Sequence, residues 1–273
     1  MKKLLRKNSN IQLDKMNTKL FSNAIKVSKN NGVNDFLCWF DNSETTSHVI
    51  VSGYRDFFSY ILVDEVYNYI KNKALNLSVL DIGCGGGRLM NAAATCFEMV
   101  YGVDIHNNLD ITKQFLHSQS KNNIILNNIQ NKIFLIEDKK IDLVYSFIVF
   151  QHIMTLDCFK AYLSEIQRVL RDDGIAIIYF GRPKYLSRKV FPYSIINTLF
   201  YLFDKYIYER VINLLFKGYR EYPNVPVNYV NLVVTMRKAK QLFKYNGFII
   251  ISQGVSRRKG GYGTQYYLVV QKK

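Results

Sequence analysis

Two rhythms of hydrophobic and polar positions alternate along the chain. Short, almost continuous apolar runs occur at Val79-Leu80-Asp81-Ile82, Met99 to Ile105, Ile124 to Asn128, Ile141 to Phe150 and Ile175 to Ile178. Runs of that length and composition read as strands buried on both faces, as in a parallel sheet. Between them, apolar residues recur at helical spacing. Phe58, Ile61, Leu62, Val66 and Ile70 predict one amphipathic helix over residues 55–73. Phe159, Tyr162, Leu163, Ile166, Val169 and Leu170 predict a second over 157–170, with Glu165 and Arg168 as a surface pair. Thr235 is placed to cap a helix over 236–245 that ends at Asn246-Gly247. Two last runs, 247–251 and 266–270, read as a hairpin. The alternation predicts an α/β fold: seven strands, mostly parallel, with a C-terminal antiparallel hairpin strand and helices on both faces.

Two stretches fall outside this pattern. Residues 1–52 are a basic, Lys- and Asn-rich lead, and their aromatic residues Phe36, Trp39 and Phe40 suit either a flap over a ligand or a pin to the core. The body of the fold then spans 53–273. Residues 182–234, before the sixth strand, are longer than a plain connection requires and predict a helical insertion. Within it Lys205, Glu209, Asn213 and Lys217 form an i,i+4 polar ladder beside a wide apolar face. That face is expected to pack on the body of the fold; a lid, a dimer surface and shallow membrane contact through 182–216 are the alternatives.

The candidate chemistry centres on Asp81-Ile82-Gly83-Cys84-Gly85-Gly86-Gly87-Arg88. A strand, a glycine turn and a helix N-terminus let a ligand approach the backbone and meet free N–H groups. A dinucleotide fingerprint, G-x-G-x-x-G, needs its third glycine where this chain has Arg88. Asp81 at the strand end would repel a pyrophosphate and suits a cationic amino group. Asp104 follows the glycines by the interval at which an acid reaches ribose hydroxyls.

These residues resemble motif I of the class I S-adenosylmethionine-dependent methyltransferases. The segment "IDLVYSFIVFQHI" from Ile141 is similar to the family's fourth-strand motif, and "VLRDDGIAII" from Val169 to its turn and fifth strand. The resemblance covers about 55–181 and 235–271. It implies a Rossmann-like fold and S-adenosyl-L-methionine as cofactor. By resemblance Asp81, Gly83, Cys84 and Gly85 hold the methionine end, Asp104 and Ile105 the ribose, and Asn128 and Ile129 the adenine. Ser146 and Phe147 line the floor and Gln151 orients substrate, while Arg55 either pairs with the cofactor carboxylate or, the reading the sequence favours, is a solvated arginine. His152 faces the acceptor, either as a general base or as a positioning group. The implied reaction is methyl transfer to a small-molecule or sugar acceptor, at oxygen.

Composition changes this picture little. The 273 residues carry a net charge of +16, spread along the chain and not clustered. Nucleic acid is therefore a partner in the alternative reading, an RNA methyltransferase; a non-catalytic methyltransferase-like partner protein is the other alternative. Cys38, Cys84, Cys96 and Cys158 have no metal-ligand spacing, so no metal is expected. No apolar segment follows Met1-Lys2-Lys3 and no apolar run reaches membrane-spanning length, which predicts a cytoplasmic protein, with peripheral membrane contact as the alternative. A homodimer is compatible with all of these patterns.

Overall fold

The computed structural model describes residues 32–72, 74–186, 195–222, 225, 229–258 and 261–273, together with 19, 21, 23, 25, 28 and 30. Seven strands form one sheet: β1 (Ser78–Ile82), β2 (Met99–Asp104), β3 (Ile124–Asn128), β4 (Ile141–Ser146), β5 (Leu170–Gly181), β8 (Phe248–Arg258) and β9 (Gly261–Lys272). Their order is β3-β2-β1-β4-β5-β9-β8. Strands β1 to β5 run parallel, and β9 lies antiparallel between β5 and β8. Every residue of β4 is buried, as a strand covered on both faces must be. Val79 faces one apolar layer while Leu80 and Ile82 face the other, the alternation a pleated strand imposes. The fold class read from the pattern is the one observed. Strand order reverses at β1, between β2 and β4, which opens a crevice at their carboxyl ends.

The single helix expected over 55–73 is instead two. The segment preceding the sheet consists of α1 (Val33–Asp41), α2 (Thr46–Asp56) with a π-helical turn over Phe57–Ile61, and α3 (Asp64–Ile70). Thr45 caps α2 by accepting from the His48 backbone N–H at 3.2 Å, so the helix starts well before Arg55. Leu62 leaves helical geometry, and at this break the Tyr60 carbonyl accepts the Tyr179 hydroxyl of β5 at 2.8 Å. The wider turn keeps Phe57 and Ile61 in the same apolar layer as Val66 and Ile70. The remaining sheet-covering helices are α4 (Arg88–Ala93), α5 (Leu109–Ser118), α6 (Leu156–Val169) and, in the C-terminal part, a helix over Met236–Tyr245, whose N-cap is Thr235 as expected. The Glu165–Arg168 pair does more than decorate a surface: Arg168 donates to the carbonyls of Phe134 and Ile136, clamping that loop onto α6.

The insertion holds α7 (Ile195–Phe203), a π-helical turn (Asp204–Tyr208), α8 (Glu209–Phe216) and a small ribbon, β6 (Tyr219–Glu221) with β7 (Leu232–Val234). The helix over Met236–Tyr245 is therefore α9. The expectation that the wide apolar face packs on the body holds for Ile212 and Tyr201 but fails for most of the face, which is exposed. Polar groups turn inward: Asn197, Asp204 and Glu209 are buried. Asp204 accepts from the backbone N–H groups of Tyr185 and Leu186 at 2.9 and 3.1 Å and lies 3.7 Å from buried Arg182. Glu209 accepts from the Met236 N–H and the Tyr266 hydroxyl. These partners offset the desolvation of both carboxylates, so the acids anchor the helices; Ile212 and Tyr201 also pack inward, while most of the apolar face is left outside. Arg188, Lys189, Pro223 and Pro226, and residues 1–18, fall outside the described residues.

Candidate active site

A cavity of about 990 Å3 opens at the carboxyl ends of β1 and β4. Its base is the glycine loop. Gly83, Gly85 and Gly87 all have left-handed φ values, at 77°, 51° and 85°. At Gly83 and Gly85 the space is also taken: an added Cβ would lie 2.2 Å from Val149 and 2.7 Å from Phe40. Only glycine fits both the turn and the close neighbours. The loop is fixed to β2, because the N–H groups of Gly83 and Cys84 donate to the Val103 carbonyl and the Gly85 N–H donates to Asp104 Oδ2 at 2.8 Å. Asp104 Oδ1 accepts from the Ile105 N–H at 2.7 Å.

Asp81 lines the cavity yet is almost wholly removed from solvent. Among the described residues its carboxylate makes no ion pair within 4 Å, and the buried Tyr145 hydroxyl lies beside it and stabilises the charged form. Burial pushes its pKa up from 3.8 to about 8; the more distant Arg88 opposes this and Asp104 adds to it. A buried acid in that state is suited to receive a cation. Burial likewise pushes the Cys84 thiol well above its ordinary range, so it is an apolar lining group and no nucleophile.

His152 stands on the same cavity, after β4. Its Nδ1 lies 2.6 Å from the Tyr229 carbonyl, which can only accept, so Nδ1 carries the proton. Nε2 is 3.2 Å from the Gln151 amide nitrogen and accepts from it. Burial lowers the His152 pKa against the opposing pull of the Tyr229 bond, which keeps the ring neutral with a basic Nε2. Gln151 also accepts from the Thr264 hydroxyl at 3.2 Å, and its backbone carbonyl accepts from Asn231 and Leu232. One residue thus ties β9 and the end of the insertion to the imidazole. Ile148, also on the cavity wall, has φ 69°, a costly conformation for a β-branched residue.

Of the residues expected at the site, Asp81, Gly83, Cys84, Gly85, Asp104, Ile105, Ile129, Phe147, Gln151 and His152 line one cavity. Three do not. Arg55 points away, more than half exposed, and pairs with Asp56. Asn128 donates its amide to the His106 carbonyl at 2.8 Å, holding the loop after β2. Ser146 is fully buried and donates to the Ile82 carbonyl at 2.9 Å, joining β4 to β1. The arginine at the cavity is Arg88, whose guanidinium lies 2.9 Å from Asp56 and 3.4 Å from Asp41. His106 is a further residue the pattern did not single out. Its Nδ1 accepts from Asn108, so its Nε2–H donates to the Gly85 carbonyl at 3.3 Å. Trp39 and Phe40 of α1 close the near side of the cavity, while Phe36 is fully buried behind them. Phe21 meets His152 edge-on at 6.3 Å between ring centroids.

Comparison with known proteins bears on the fold. Residues 80–178 match the family described as "Methyltransferase domain". A curated relative, the ubiquinone biosynthesis O-methyltransferase of Pelagibacter ubique, is 28% identical over 104 residues. That match covers 38% of this chain and 41% of the relative, so the chain spans less than half the relative's length. Among solved structures, magnesium protoporphyrin IX methyltransferase from Synechocystis superposes with TM-score 0.54 at 19% identity, covering 84% of this chain and 88% of that one. An S-adenosylmethionine-dependent methyltransferase from Methanosarcina mazei gives 0.53 at 16% identity, covering 77% and 98%. The chain therefore has a Rossmann-like fold shared with these methyltransferases, and its residues 80–178 are similar to the methyltransferase-domain family.

Proposed function

We propose that the chain transfers a methyl group from S-adenosylmethionine to an oxygen of a small-molecule acceptor. The observation that carries this reading is the pairing, on one cavity, of an acid without an ion pair, Asp81, with a neutral imidazole, His152. When bound, the cofactor supplies an electrophilic methyl on a sulfonium. Asp81 suits its amino group, since a cation nearby returns the carboxylate to its charged form. Asp104 lines the same cavity, where its carboxylate suits hydroxyl groups, and Ile105 and Ile129 offer apolar surface for a ring.

His152 is equipped to take the proton of an attacking hydroxyl. Its Nδ1–H is committed to Tyr229, so the lone pair at Nε2 is the basic site. The Gln151 N–H now on Nε2 must give way to the acceptor hydroxyl, while the Gln151 carbonyl oxygen keeps its bond from Thr264. The proton of the acceptor hydroxyl would pass to Nε2 as its oxygen takes the methyl group. Beyond His152 the wall is Ile148, Ile153, Met154, Cys158 and Tyr162, which favours an acceptor with an apolar body over a bare sugar. The oxygen assignment draws support from the O-methyltransferase named above. The test is incubation with cofactor labelled in the methyl group and fractionated cell extract. Label in a small, organic-extractable product supports the reading. Absence of cofactor binding by calorimetry, or label only in RNA, overturns it.

A further inference from the structure

The insertion presents a surface that methyl transfer does not use. From 195 to 217, Ile195, Leu199, Tyr206, Ile207, Leu214 and Leu215 recur at helical spacing and are all more than half exposed, Leu214 at 83%. Ordinary soluble helices keep such a stripe covered, and contiguous apolar patches of this kind mark binding surfaces. The charges on the same helices are sorted by sign. Both acids, Asp204 and Glu209, are buried and occupied with Arg182, Met236 and Tyr266. All three bases, Lys205, Arg210 and Lys217, are exposed. The outward face is therefore apolar with a purely cationic border.

We propose that α7 and α8 dock this chain on an anionic lipid surface, lying in the plane of the interface. The apolar stripe enters the headgroup boundary and Lys205, Arg210 and Lys217 meet lipid phosphates. Among the described residues no helix is long and apolar enough to cross a membrane. A second copy of the chain fits the face less well, because a two-fold contact would bring the same cationic border against itself. The net charge of +16 acts in the same direction as the border. The end of the insertion touches His152 through the Tyr229 carbonyl, so a docked face would lie in structural continuity with the cavity.

The test is flotation of the full chain with vesicles of phosphatidylglycerol and phosphatidylcholine, against vesicles of phosphatidylcholine alone. It does not depend on activity, so its failure is distinct from failure of the methyl-transfer reading. Each basic residue near an anionic surface contributes about fivefold, so replacing Lys205, Arg210 and Lys217 together by alanine weakens partitioning roughly a hundredfold. High salt weakens it similarly, and Leu214→Glu with Leu215→Glu abolishes it while circular dichroism stays unchanged. Three results overturn the proposal: no flotation with either vesicle, equal flotation with both, or a dimer by light scattering that the leucine substitutions dissolve without any lipid binding.

Discussion

The Arg88 guanidinium donates to Asp56 Oδ2 at 2.9 Å, joining the helix after the glycine loop to the helix that precedes the sheet. Both side chains are nearly buried, and Asp41 of α1 shares the same guanidinium. Removing one partner of a buried pair strands the other charge. Asp56→Ala is expected to destabilise the protein by about 3 kcal/mol in urea unfolding. Arg55 also touches Asp56 but from solvent, and Arg55→Ala is expected to cost under about 1 kcal/mol. Equal losses from the two would show that Arg88 is not the anchor.

Asp81 opposes stability as pH rises. Its folded pKa of about 8 is raised above 3.8, so its contribution is fully present below the lower value and is lost as pH rises through about 8. The cofactor-free Asp81→Asn protein is expected to melt higher than the wild type at pH 9 and no differently at pH 3.5. Under the proposed function S-adenosylmethionine binds the charged carboxylate, so wild-type affinity should rise about tenfold per pH unit between 6 and 7, with one proton released. Calorimetry in buffers of different ionisation enthalpy measures that proton. A flat affinity profile would remove Asp81 from the amino-group role.

His152→Gln should lower turnover by about a hundredfold to ten-thousandfold with cofactor affinity unchanged. Because burial lowers the imidazole pKa, the acid limb of the pH–rate profile should fall below the ordinary histidine range and vanish in the variant. A variant that keeps the wild-type rate leaves His152 a wall residue only.

At Gly53 the constraint is space. A Cβ there would sit 2.2 Å from the Arg88 carbonyl oxygen, where backbone and not a flexible side chain must yield. Gly53→Ala is expected to destabilise by roughly 1–3 kcal/mol despite the better helix propensity of alanine. It should also weaken cofactor binding, since the displaced strand-to-helix turn is the glycine loop. A stabilised variant would show that α2 can slide off α4 without cost.

Much of this molecule is local and was legible residue by residue. Gly83, Gly85 and Gly87 declare a turn because only they take its φ values cheaply, and Asp81 and Asp104 end runs whose apolar pattern already places them at the sheet's carboxyl edge. The π turn at Phe57 and the break at Leu62 were not legible, since an apolar period looks the same through a wider turn. Nor were the duties of polar side chains. Arg55 and Arg88 are equally arginine in the sequence, and only packing puts Arg88 between two acids and leaves Arg55 in water. Asn128 and Ser146 are spent on the carbonyls of His106 and Ile82 because those carbonyls lie beside them in space. The insertion shows the limit most clearly. Its amphipathic period is a property of the chain, but periodicity carries no direction. Partners distant in sequence, Arg182, Met236 and Tyr266, hold Asp204 and Glu209 inside, and so the tertiary structure alone turned most of the apolar face outward.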